Sequence, residues 1–260
     1  MSTPRELSLA VLYAADRQEY ENGYDLVRRI HPEVCTQLQD DRRSLKTQIQ
    51  ELIAADHREF FTFFVDDNVV IRPFGWLDRE FDILRQRRDV ASLSLRLSPN
   101  VRYCQPLNMQ APAPNLDVDR TWDWRAPRTR LIRVLKGLTG KSYAKGDWAG
   151  SMFMDGYVFR YQPFVEYFST LPEIGYVTKL ESIMLGRPLP GHRVVCYSQS
   201  RIINVVLNRV DTHSGYPHPG GSVAELNSRF LAGQRMAYAH LVNIENRACH
   251  LTLEPRWQTA

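Results

Sequence analysis

A strongly apolar run of this chain ends in two carboxylates and an amide. Residues Phe60–Val65 read Phe-Phe-Thr-Phe-Phe-Val, and Asp66, Asp67 and Asn68 follow directly. Such a run is typical of a strand buried on both faces of a parallel sheet, and ligands of open α/β sheets lie beyond the carboxyl ends of the strands. Oxygen ligands suit Mg²⁺ or Mn²⁺, and Mg²⁺ often binds through one or two carboxylates and substrate phosphates. The segment therefore predicts a metal–phosphate site, with a plain acidic turn as the alternative.

Length and composition bound the class of protein. The chain has 260 residues, of which 43% are hydrophobic and 24% are charged, and this fits one large soluble domain. No apolar run approaches the roughly 18–20 residues of a membrane span, and Met1–Glu6 lacks the apolar core of a signal peptide. The four cysteines are scattered without a CxxC pair, which argues against a zinc site or a disulfide framework. We therefore expect a cytoplasmic protein with reduced thiols.

Positive charge is concentrated in one irregular stretch. The whole chain carries a net charge of 33 − 29 = +4, whereas residues 120–145 contain eight Lys/Arg and one acid, a local net of 8 − 1 = +7. Arginines at this density suit phosphate recognition. The neighbouring Trp122, Trp124 and Trp148 could stack on a sugar or base, or could anchor a long loop to the core, and the sequence favours anchoring.

Strands and amphipathic helices alternate in the first hundred residues. The predicted strands cover residues 7–13, 33–38, 60–65 and 91–97, and the predicted helices cover 19–30, 44–55 and 77–87. Ser44 is the expected N-cap of the second helix. Later segments predict strands at 151–159 and 193–198, and helices at 162–169, 178–185 and 222–233, with Ser222 and Glu225 forming a capping box. This order predicts an α/β fold with a mostly parallel sheet and crossover helices.

The order of these features resembles the GT-A (Rossmann-like) fold of nucleotide-sugar glycosyltransferases. Phe64–Phe74, which contains the acidic triplet, looks like the acidic motif of a bacterial family related to glycosyltransferase family 2, and Ser94–Asn100 and Tyr103–Asn108 continue the likeness. Shorter segments at 180–182, 196–197, 208–209 and 248–250 follow in the same order. The resemblance covers roughly residues 7–110 and 147–250. We expect a single domain with a nucleotide-sugar-binding half (1–100), an irregular basic insert (101–146), for which the resemblance gives no guide, and an acceptor-side half (147–260).

The resemblance also implies a metal site and a catalytic base. Asp66 and Asn68 would occupy the two positions of the DxD motif, with Asp67 as the alternative ligand, and His250 would complete the metal shell. Glu181 would be the catalytic carboxylate at a helix start, although this chain has Ser182 where an Asp would follow. The alternative for Glu181 is an acid that the helix dipole favours in a first turn.

Other residues are candidates for contacts with the two substrates. The candidate donor contacts are Tyr13, Asp16, Arg17, Asp40, Arg96 and Arg209. The candidate acceptor contacts are Trp148, Asp155, Arg128, Arg130 and Arg133. His213 and His218 lie in a loop rich in Gly and Pro, which we interpret as a plain loop in preference to a lid over the donor.

Together these features predict a metal-dependent, inverting glycosyltransferase that uses Mn²⁺ or Mg²⁺. It would move a sugar from a nucleotide sugar to a hydroxyl of a glycan or lipid-linked saccharide. Inversion is favoured because one credible base is present and no second, nucleophilic carboxylate is evident. Contact of the basic insert with an anionic acceptor at the inner membrane surface is left open. Two alternatives also remain: a glycosyltransferase that modifies nucleic acid bases, and a catalytically weak nucleotide- or glycan-binding protein.

Overall fold

The computed structural model describes residues 8–125, 145–207 and 221–259. Its strands are β1 Ala10–Tyr13, β2 Cys35–Leu38, β3 Phe60–Thr62, β4 Asn68–Val70, β5 Val90–Ser94, β6 Tyr103–Cys104, β7 Met109–Gln110, β8 Thr121–Asp123, β9 Tyr157–Arg160, β10 Arg193–Cys196, β11 Ile202–Val205, β12 Gln234–Met236, β13 His250–Leu251 and β14 Trp257–Thr259. Its α-helices are α1 Gln18–Ile30, α2 Leu45–Ala54, α3 Arg79–Gln86, α4 Tyr161–Ser169, α5 Val177–Gly186 and α6 Val223–Leu231, with short 3₁₀ helices at Gly146–Ala149 and Ala239–Leu241.

The first βαβ unit forms as the sequence predicts. β1 and β2 pair in parallel, from Ala10 opposite Cys35 to Tyr13 opposite Leu38, and α1 connects them. Ser44 caps α2 because its side chain accepts a hydrogen bond from the backbone N–H of Thr47, which satisfies one of the free donors at a helix start. The predicted cap of α2 is therefore confirmed.

The largest sheet is mixed. It has the order β3-β9-β5-β10-β8, in which the β5–β10 pair is parallel and the other three pairs are antiparallel. The predicted α/β class is confirmed, but the prediction of a mostly parallel sheet is wrong for the described residues. β9 inserts between β3 and β5 in the opposite direction. β3 consequently lies at the edge of the sheet and is half-buried, where the sequence predicted a fully buried strand.

A smaller sheet carries the acidic motif. It has the order β13-β11-β4, with β11 parallel to β13 and antiparallel to β4. In this register Asn204 of β11 lies between Asn68 of β4 and His250 of β13. Residues in register on neighbouring strands lie on the same face of a sheet, so the three polar side chains form a row.

Tryptophans anchor the irregular stretch to the core. Trp122 and Trp148 are fully buried and pack edge to face with 4.8 Å between ring centroids. The indole of Trp122 donates to the carbonyl of Trp148 (3.0 Å), and that of Trp148 donates to the carbonyl of Val101 (3.2 Å). The anchoring interpretation is confirmed for both residues. With 0% of its surface exposed, Trp148 is placed inside the core and not at a surface where an acceptor could bind.

The described helices include none that is both long enough and apolar enough to cross a lipid bilayer.

Candidate functional site

The side chain of Asn68 closes the acidic turn. The backbone N–H of Val65 donates to Oδ1 of Asn68 (2.9 Å), and the backbone N–H of Asn68 donates to the carbonyl of Val65 (3.1 Å). Asn side chains often stabilise turns by such local bonds. Between Val65 and Asn68, Asp66 is exposed and Asp67 is half-buried. The structure therefore gives Asn68, a predicted metal ligand, the task of holding the turn, and it leaves Asp66 exposed to solvent.

Asp155 ties this turn to the smaller sheet. Its Oδ1 accepts a hydrogen bond from the amide of Asn68 (2.7 Å), and its Oδ2 accepts one from the amide of Asn204 (2.9 Å). The same Asn204 nitrogen donates to Oδ1 of Asp67 (2.9 Å). Only 6% of Asp155 is exposed. The predicted acceptor contact is thus an interior residue that holds two asparagine side chains.

Arg96 neutralises part of the charge behind the turn. It is 2% exposed and forms ion pairs with Asp155 and with Asp147 (2.8 Å). Buried charges are tolerated when they are paired in this way. The structure places this predicted donor contact in the interior, on the far side of two carboxylates, where it acts as their counter-ion.

Glu181 lies in the electrostatic neighbourhood of Asp67. Burial raises the pKa of the Glu181 carboxyl, and the charge of Asp67 adds to this while Arg96 opposes it. Burial likewise raises the pKa of Asp67, against the hydrogen bond from Asn204. Glu181 is the fifth residue of α5, and the first turn of that helix contains no acid. The helix dipole therefore does not explain Glu181, because its effect is confined to the first turn.

These acids form one group, which we call the acidic cluster. It consists of Asp147 and Asp155, which are ion-paired with Arg96, of Asp67 and Glu181, on which the charge of Arg96 acts, and of Asp66 beside Asp67. The formal charge of the cluster with Arg96 is −5 + 1 = −4. An excess of this size favours protonation of some members or the binding of a cation.

His250 brings an unpaired nitrogen to the same region. Burial lowers the pKa of its imidazole to about 4, with a further contribution from Arg96 and an opposing one from Asp147. Its buried Nδ1 has no hydrogen-bond partner, and neither does the buried Oδ1 of its neighbour Asn204. A neutral imidazole and an amide oxygen are both competent metal ligands.

The donor set fits a divalent cation only in part. Within the described ranges, no three His, Cys, Asp or Glu side chains converge into a complete metal cage. Asp66 nevertheless offers an exposed carboxylate beside the half-buried carboxylate of Asp67. Mg²⁺-type sites commonly use one or two carboxylates and complete the shell with substrate phosphates and water. The residues present therefore fit a cation that is shared with a phosphorylated substrate.

Tyr13 is packed against the neighbouring helix. Its ring stacks on Tyr24 with 3.6 Å between centroids, and its hydroxyl accepts a hydrogen bond from Arg28 (2.9 Å). Burial raises the pKa of Tyr24, and the charge of Asp66 raises it further. The acidic turn therefore lies beside the end of β1. This is where the sequence places the donor, although Tyr13 itself is almost fully buried.

The other predicted donor contacts near the end of β1 are either paired with a residue nearby in the sequence or exposed to solvent. Asp16 and Arg17 are exposed, and Arg17 pairs with Glu19 (3.6 Å). Asp40 accepts hydrogen bonds from the guanidinium and the backbone of Arg42, and these bonds lower its pKa. β1 and β2 end side by side, because the N–H of residue 39 bonds to the carbonyl of residue 13. Asp16 and Asp40 thus lie at the same end of the β1–β2 pair.

Several predicted residues lie outside the described ranges. They are Arg128, Arg130, Arg133, Arg209, His213 and His218. Conversely, the sequence reasoning missed Asn204 and Asp147. Asn204 left a signal, since it is a polar residue within the buried, apolar strand β11. Asp147 left none, because it lies in an irregular stretch.

Comparison with protein-family models, with curated proteins and with solved structures finds no match for this chain.

Proposed function

We propose that the protein is a metal-dependent glycosyltransferase that transfers a sugar from a nucleotide sugar to a hydroxyl acceptor. The observation that carries the proposal is the acidic cluster: the exposed carboxylate of Asp66 and the half-buried one of Asp67 lie on a turn that Asn68 closes, and the charge of Asp67 acts on a third carboxylate, Glu181. A nucleotide-sugar transfer needs a cation for the departing diphosphate and a base for the attacking hydroxyl. The cluster has a residue for each task.

The chain's own residues would divide the work as follows. Asp66 and Asp67 would hold the cation, which when bound acts as a Lewis acid on the diphosphate. Glu181 would accept the proton of the acceptor hydroxyl as that oxygen bonds to the anomeric carbon and the bond to the diphosphate breaks. A raised pKa suits a general base, since proton transfer is most efficient when the pKa lies near the working pH. One base on one side of the sugar predicts inversion of the anomeric configuration.

The proposal is tested by metal-dependent binding of nucleoside diphosphates. A panel of nucleoside diphosphates and their sugars is titrated by calorimetry in Mn²⁺ and in EDTA. We expect binding in Mn²⁺ only, and we expect Asp66→Ala and Asp67→Ala each to weaken it at least tenfold, about 1.4 kcal/mol. Asp82→Ala is the matched control, because Asp82 is an exposed acid on α3 that pairs with Arg85. Equal nucleotide affinity in EDTA and in Mn²⁺ would refute the metal site.

Donor hydrolysis separates the enzyme from a binding protein. A protein that retains the acidic cluster without turnover would bind the nucleotide sugar in Mn²⁺ and release no nucleoside diphosphate over time. The acceptor class, glycan or nucleic acid, depends on the basic insert. Retention on duplex DNA that falls steeply with salt would favour nucleic acid, and its absence would favour a glycan or lipid-linked acceptor.

A further inference from the structure

The Asn204 side chain occupies a bridging position. One amide nitrogen donates to Oδ1 of Asp67 and to Oδ2 of Asp155, at 2.9 Å in each case. Two carboxylates that share one donor are held close together although their charges repel. The orientation of the Asp67 carboxylate therefore depends on the position of this amide.

The backbone around Asn204 holds the amide in place. Asn204 is 1% exposed, and its N–H donates to the carbonyl of Cys249 (2.8 Å). The N–H of Val205 donates to the carbonyl of Asp67 (2.8 Å). β11 is paired on both sides, with β4 and with β13. A side chain on a central, buried strand has few alternative rotamers, so the bridge is fixed before any ligand binds.

We propose that Asn204 is a positioning residue for the cation site: by bridging Asp67 and Asp155, it orients the Asp67 carboxylate to bind a divalent metal. This inference rests on the proposed function and deepens it. Asn204 acts through Asp67 and not on the reacting atoms. Asp155 is the second support, since it also accepts from Asn68, which closes the turn.

The physical argument concerns what happens without the bridge. In Asn204→Ala, Asp67 loses the amide N–H that fixes its Oδ1, and no donor then lies between it and Asp155, which keeps its ion pair with Arg96. Asp67 then rotates away from Asp155 or takes up a proton, and both changes remove an oriented ligand. Loss of a residue that supports a metal ligand typically costs 10–100-fold in metal affinity.

The test measures Mn²⁺ itself. Binding of Mn²⁺ to the full chain, without nucleotide, is followed through the electron paramagnetic resonance signal of the free ion. We expect Asn204→Ala to bind Mn²⁺ at least tenfold more weakly than the wild type. In donor hydrolysis, the Mn²⁺ concentration for half-maximal rate should rise in the variant, and saturating Mn²⁺ should restore the rate.

Gln48→Ala is the matched control. Gln48 is also a fully buried amide, but it bonds to backbone groups of Asp40, Arg43 and Ser44 and to no carboxylate. Both variants should lower the melting temperature measured in EDTA, because both lose buried hydrogen bonds. Only Asn204→Ala should lose Mn²⁺ affinity. If the role of Asn204 were merely structural, the Mn²⁺ affinity of the folded variant would be unchanged.

The outcomes distinguish this inference from the proposed function. If the wild type binds Mn²⁺ and Asn204→Ala binds it equally well, the positioning role is refuted and the proposed function stands. If the wild type binds Mn²⁺ only together with a nucleoside diphosphate, the two proteins are compared in its presence under the same expectation. If the wild type binds Mn²⁺ neither alone nor with a nucleoside diphosphate, both are refuted. Should Asn204→Ala fail to fold, Asn204→Ser takes its place, because a serine hydroxyl is too short to span both carboxylates. Asn204→Ser should then also bind Mn²⁺ at least tenfold more weakly than the wild type, and equal affinity would refute the positioning role.

Discussion

Gly156 is the position where one added methyl group would most directly disturb the site. It has φ = +64°, and a Cβ built there would lie 2.1 Å from Cδ1 of Ile202 and 3.3 Å from Cγ of Arg96. Optimal separations between carbon atoms are about 3.5–4.0 Å. Gly156 follows Asp155 and precedes β9, so its left-handed backbone brings Asp155 to the two asparagines.

The cost of Gly156→Ala has two parts. A left-handed backbone costs a residue with a Cβ about 1–2 kcal/mol, and overpacking a well-packed core costs about 1–3 kcal/mol. We therefore expect the free energy of unfolding to fall by about 2–5 kcal/mol. Ile202→Val removes the Cδ1 atom that the new methyl group would strike. Alone it should cost about 0.5–1.5 kcal/mol, but in the double variant it relieves the overlap.

Guanidinium denaturation of the two single variants and the double variant measures the coupling. We expect the double variant to be more stable than the sum of the single effects by about 1–3 kcal/mol, the range found for residues in contact. The cost of the left-handed backbone at residue 156 should remain in the double variant. Gly175→Ala is the control, because a Cβ at Gly175 meets nothing within 4 Å, and its effect should stay within about 0.5 kcal/mol. Additive effects of Gly156→Ala and Ile202→Val would refute the packing argument.

Three further predictions concern the base, the basic insert and a buried histidine. Glu181→Gln keeps the shape of the side chain but removes its basicity, so turnover should fall roughly 10²–10⁴-fold with donor affinity nearly unchanged; transfer at the wild-type rate would exclude Glu181 as the base. Neutralising Arg128, Arg130 and Arg133 together should impair transfer to the acceptor and spare donor hydrolysis. The KM for the acceptor should rise with ionic strength in the wild type but not in this variant. If this KM responds identically to salt in both proteins, the insert has no role in binding the acceptor. Burial lowers the pKa of His250 to about 4, so unfolding takes up a proton between pH 6.5 and 4. The contribution of neutral His250 to stability is therefore complete above pH 6.5 and is lost as the pH falls through this window. In EDTA the wild type should lose ~2–4 kcal/mol more than His250→Gln across that window, and parallel pH profiles would contradict this.

Local chemistry made some elements predictable from the sequence. Ser44 and Ser222 were expected to cap helices, and both accept the expected backbone N–H, because a cap depends on residues three positions apart. The sheet order depends on distant contacts. Phe60–Thr62 has the composition of a central strand, yet it lies at an edge because β9, nearly a hundred residues later, pairs with it in the antiparallel direction. No local pattern carries that information.

The site follows the same division between local and distant causes. Asp66 and Asp67 were predictable because an apolar run that ends in acids is a local signal, although β3 itself ends at Thr62 and is half-buried. Their supports lie on two other segments: Asp155 in the turn before β9 and Asn204 on β11. The sequence named Asp155 in another role, whereas it left Asn204 unnamed, although a polar residue inside the otherwise apolar strand Ile-Ile-Asn-Val is a signal. Burying an amide is unfavourable unless it is hydrogen-bonded, so such a residue indicates a partner elsewhere in the chain. Here the partners are two carboxylates, and an amide that holds two acids side by side against their repulsion is the arrangement that the proposed cation site requires.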